Sequence, residues 1–116
     1  MSSIFSLPEM PFLTKLREAN IARQEEWTKG EETDLMYRAL ELGGEVGELL
    51  NKIKKLERQS RGWVGSKVTY EEIAEEIADG LICLDLVAEY LHLDLAKITE
   101  AKFNKTSEKY GLKVKM

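Results

Sequence analysis

Apolar residues recur along this chain at helical spacing, with no run of strand-like alternation. Between residues 34 and 59, Leu35, Leu42, Val46, Leu49, Ile53 and Leu56 fall on one stripe, which predicts a long amphipathic helix. Asp34 stands where an N-cap would be. An earlier helix is expected from Leu13 to Trp27, where Leu16, Ala19, Asn20, Arg23 and Trp27 fall near one face. The polar break from Lys29 to Thr33, with Gly30, separates the two. A loop from Ser60 to Val68, with Gly62 and Gly65, leads to Thr69-Tyr70-Glu71-Glu72, which fits a capping box and starts a third helix reaching Leu91. From Gly80 to Leu91 its only acidic or basic residues are Asp85 and Glu89, so it is expected to be the central, most buried helix. Asp94 can cap a fourth helix that ends near Tyr110, with Gly111 as its stop. The expected fold class is therefore all-α, a four-helix bundle in a single domain over residues 13–112. An extended N-terminal arm (1–12) holds both prolines, and 113–116 form a short tail.

The bulk properties narrow this picture. A chain of 116 residues builds one modest core, so burial completed by self-association is expected. A net charge of −4 argues against general nucleic-acid binding. No stretch approaches the ~18 apolar residues of a membrane span, and the first residues lack the basic start of a signal peptide. The lone Cys83 excludes an intrachain disulfide and reads as a small core residue, which fits a reducing cytoplasm. Gly43, Gly44 and Gly47 inside the second helix allow either close helix packing or room for a ligand at the backbone.

Two acidic couplets carry the candidate chemistry. Glu45-Val46-Gly47-Glu48 and Glu76-Ile77-Ala78-Asp79 each place two carboxylates three residues apart, about 60° apart around a helix axis. Both interrupt stretches that otherwise read as core. Four carboxylates brought together repel, and a hard divalent cation with oxygen ligands resolves that repulsion. An isolated E-x-x-E is more often a solvated face. A rival metal reading comes from Glu89-Tyr90-Leu91-His92, the E-x-x-H of di-iron bundles, but such sites need two copies and this chain has one histidine at a helix end. Lys52, Lys54, Lys55, Arg58 and Arg61 form a basic stretch at the end of the second helix. Dipole compensation explains most of them, and one or two can face polyphosphate oxygens. Lys102, Lys105 and Lys109 make a second basic set on one face of the fourth helix. Trp27 and Trp63 can each stack on a base or serve as packing.

ELGGEVGELLNKIKKLER followed by EEIAEEIADGLICLDLVAEYLHLDL resembles the MazG-like, all-α nucleoside triphosphate pyrophosphohydrolases, relatives of the dimeric dUTPases and dCTP pyrophosphatases. The E-x-x-E and E-x-x-D couplets match the family order, KFNKTSEKYGL resembles its closing segment, and ANIARQEEW resembles its first helix. The resemblance runs from about Asn20 to Leu112. It implies Mg²⁺-dependent hydrolysis of a nucleoside triphosphate to a monophosphate and pyrophosphate, with Mn²⁺ as a substitute metal. It also implies a housecleaning role and assembly as a homodimer or dimer of dimers. Glu45, Glu48, Glu76 and Asp79 match the metal-binding acids, with Glu45 or Glu48 the residue that activates water. Lys102 and Lys109 match phosphate-facing positions, to which Lys55 is added from the basic stretch. Trp27 matches a base-stacking position, and Asn20 is a candidate pocket residue beside it. The chain departs from the pattern at Gly44, where many members carry a further glutamate, at Thr106, where the tail has an asparagine, and at Lys55, where dCTP-hydrolysing relatives have an aromatic. The substrate base is therefore left open. The alternative function is a non-catalytic helical module of the same fold that binds nucleotide or protein.

Overall fold

The computed structural model describes residues 10–116, so most of the expected N-terminal arm lies outside the described residues. Four helices make up the regular structure, α1 (Phe12–Thr28), α2 (Leu35–Ser60), α3 (Tyr70–Tyr90) and α4 (Leu95–Lys109), with no strand among the described residues. Each boundary falls within a residue or so of its expected place because its stop and start signals are local.

Asp34 caps α2 by accepting a hydrogen bond from the Tyr37 N–H at 2.8 Å. Thr69 accepts from the Glu72 N–H, and Asp94 from the Lys97 N–H, both at 3.1 Å. These caps satisfy amides that have no partner inside the helix. The carboxyl ends of α2, α3 and α4 close alike. Trp63, Leu93 and Leu112 donate back to the carbonyls of Arg58, Ala88 and Ser107 through a left-handed residue at Gly62, His92 and Gly111. This is the double hydrogen bond of the Schellman motif, with a histidine where glycine is usual in α3.

α3 is the central element. It packs along α2 over an extended face and carries α1 on another side, while α4 packs lightly, chiefly against α1. The buried apolar side chains are few, namely Val68, Ile73, Cys83, Leu86 and Ala88 among the described residues. A buried polar tie supplements them. Asp85 is wholly buried (0% exposed) and accepts from Arg17 Nε at 3.1 and 3.2 Å and from Asn20 Nδ2 at 3.0 Å. Asn20 also donates to the Ile82 carbonyl, and Arg17 to that of Leu93. α1 is thus fastened to α3 by polar pairing that satisfies nearly every buried group in it.

Much apolar surface stays open. Met36, Leu40, Val46, Leu50 and Ile53 on α2, Ile77, Leu81 and Leu84 on α3, and Ile98 and Phe103 on α4 are all exposed. A methyl group built on Gly43, Gly44 or Gly47 would meet nothing within 4 Å, so these glycines do not serve close helix packing inside one protomer. The radius of gyration is 17.8 Å. A compact chain of this size would have about 13 Å. No helix among the described residues is long and apolar enough to cross a membrane.

Candidate metal centre

The α2–α3 interface brings Glu45 of the first acidic couplet to both members of the second. Glu45, Glu76 and Asp79 each present a carboxylate oxygen, and these oxygens lie within 4.8 Å of one another. Glu76 is buried, Glu45 half-buried and Asp79 exposed, so the trio opens from the interface toward solvent. Glu48 is exposed and stands beside Glu76, outside the tight trio.

The electrostatics of the group are uneven. Burial raises the Glu45 pKa above its ordinary value, and the charges of Asp79, Glu48 and Glu76 push it the same way. The Glu76 pKa is lowered, first by the hydrogen bond from Lys52. That bond, Lys52 Nζ to Glu76 Oε1, is 2.7 Å long. Lys52 holds its own proton more tightly in return. Among the described residues no N–H donor reaches Glu76 Oε2 or Glu45 Oε2, both buried, and without a metal only a proton shared between the two carboxylates would link them. Buried oxygens are rarely left so, because each loses its water without replacement. Two desolvated carboxylate oxygens facing a third carboxylate fit a hard cation, and the all-oxygen donor set suits Mg²⁺ or Mn²⁺ better than a thiolate- or imidazole-seeking metal.

The remaining expected site residues are placed less centrally. Lys102 and Lys109 are exposed on α4, which forms no extensive packing with α2, so one protomer does not bring them to the trio. Lys109 lies instead 5.4 Å from the Tyr110 ring centre. Lys55 is half-buried on α2. Trp27 is 73% exposed near the end of α1. It is free to stack and is not part of the protomer core. Asn20 is only 2% exposed, and its amide nitrogen is spent on Asp85 and Ile82, so its visible duty is to hold α1 on α3. Trp63 sits on the 61–68 loop with the Arg61 guanidinium 5.0 Å from its ring centre. Cys83 is buried near the acids. Burial above all, with the charges of Glu41, Glu45 and Asp79, pushes its thiol up to about 11, so it stays protonated at neutral pH. Glu89 and His92 line a groove of about 360 Å³ with Arg17 and Glu18, and no cluster of metal-ligating side chains forms there among the described residues.

Sequence reasoning placed Lys52 in a solvated basic stretch and missed its partnership with Glu76. The signal was present, since Lys52 follows Glu45 by seven residues and Glu48 by four, which puts it on the acidic face of the helix. Fold and site together define an all-α chain with a carboxylate centre between its two longest helices. The chain matches no protein-family model and no curated protein.

Proposed function

We propose that this chain is a Mg²⁺-dependent nucleoside triphosphate pyrophosphohydrolase of the MazG-like kind, cleaving between the α- and β-phosphates. The observation that carries the reading is the Glu45–Glu76–Asp79 trio with its two buried oxygens that no N–H donor reaches. Glu45, Glu76 and Asp79, with Glu48 beside them, would hold the ion. When bound, it supplies neutralisation of the triphosphate and polarisation of the reacting phosphorus.

The chain's own groups divide the rest of the work. Glu45, half-buried in the trio, would accept the proton of the attacking water. Glu48, exposed beside Glu76, would orient that water. The oxygen of water joins the α-phosphorus, the bond to the bridging oxygen breaks, and pyrophosphate leaves with the charge. Lys55, half-buried on α2, would meet that charge. Lys102 and Lys109 belong to the same role in a homodimer or dimer of dimers, which would also cover the open apolar faces of α2, α3 and α4. Trp27 offers an exposed ring for the base.

Pyrophosphate release from a panel of canonical and modified nucleoside triphosphates, with Mg²⁺ and with EDTA, tests the reading. Release is expected only with the metal, in equal amount to the monophosphate. Glu48→Gln and Asp79→Asn are expected to abolish turnover with an unchanged circular dichroism spectrum, and either variant keeping most of its activity would remove the assigned site. A chain that releases no pyrophosphate yet melts higher with nucleotide would be a binding module of the same fold.

A further inference from the structure

The trio already holds a cation of its own. Lys52 Nζ sits 2.7 Å from Glu76 Oε1, while the other oxygen of the same carboxylate is buried and reached by no N–H donor. Glu76 as a residue is only 6% exposed, so neither oxygen can turn freely to water. A divalent ion seated on Glu76 would share one small carboxylate with an ammonium group. The two positive charges would repel in a place where little water screens them. The ammonium also has somewhere to go. Lys52 is a quarter exposed at the rim, and the carboxylate of Glu72, outside the trio, also acts on it.

We propose that Lys52 is a resident counter-ion of the carboxylate trio, which a divalent cation must displace from Glu76 in order to load. This rests on the metal-centre reading above and adds a regulation to it. The free protein holds its acids together with an internal charge, and metal binds by exchange for that charge. Loading is therefore weaker than three carboxylates alone would give, and an anionic ligand that attracts the released ammonium would strengthen it.

The test is calorimetric titration of the full chain with Mn²⁺ and with Mg²⁺, without nucleotide, comparing the native protein with K52Q, K52M and K52R. Circular dichroism first checks that each variant is folded. The uncharged K52Q and K52M are expected to bind metal roughly tenfold more tightly, a coupling of ordinary size between two ligands of one group. K52R, which keeps the charge, is expected to bind as the native chain does. Metal binding by K52Q and K52M that is unchanged or weaker overturns the exchange and makes Lys52 a bystander or a positioning group, while the metal centre stands. Tighter binding by K52R as well would show that charge is not the agent, and would also overturn it. If neither the native chain nor K52Q nor K52M binds either ion, the metal centre itself fails and takes this inference with it.

Discussion

Removing the Asp85 carboxylate would take away the acceptor that the Arg17 guanidinium and the Asn20 amide share, leaving them only their bonds to the Leu93 and Ile82 carbonyls. Asp85→Ala is expected to destabilise the chain by about 3 kcal/mol, the lower end for breaking a buried pair, since Arg17 keeps some contact with water. A urea denaturation curve measures the change. Asp85→Asn keeps one acceptor oxygen and should cost less. At the acidic centre the same physics runs the other way. The raised pKa of Glu45 means the folded chain binds its proton more tightly than the unfolded chain does. Stability from this group is therefore lost as pH rises through the folded pKa, and the carboxylate is a liability to the metal-free fold at neutral pH.

The helices are defined at their ends more sharply than in their middles. Asp34, Thr69 and Asp94 each satisfy an orphan amide, and three of the four carboxyl ends share one hydrogen-bond pattern. The odd member is His92, which holds a φ of 57° where Gly62 and Gly111 serve the other two. A side chain in that conformation costs on the order of 1 kcal/mol. His92→Gly is expected to raise the melting stability by about that amount, since no hydrogen bond from the imidazole is found among the described residues. Equilibrium denaturation checks it. An unchanged or lower stability would show that the imidazole contributes packing in the groove with Arg17, Glu18 and Glu89.

At the scale of the whole molecule, the protomer is open. An apolar groove of about 760 Å³ lies between Leu84 of α3 and the Leu95, Ile98, Lys102 and Phe103 side of α4. The exposed row of Met36, Leu40 and Leu50 runs past the three open glycines of α2. Faces of this size are uncommon on monomers. Sedimentation velocity is expected to give a species of at least twice the protomer mass, and the melting temperature is expected to rise with protein concentration. A protomer-sized species with a concentration-independent melt would show that the open fold is stable alone.

The sequence by itself determined the four helices and their caps, because periodicity and capping act over a few neighbouring residues. It also determined that two acidic couplets lie on apolar faces, since spacing along one helix fixes direction around it. The tertiary structure decided which charges meet across helices. It brought Glu45 to Glu76 and Asp79 and set Lys52 on Glu76. It also drew Asn20 into a buried tie with Asp85, and it left Lys102 and Lys109 on a helix that hardly touches α2. Pairings of this kind join residues more than twenty positions apart. They depend on how one helix is rotated and shifted against another, which no local pattern in the chain encodes.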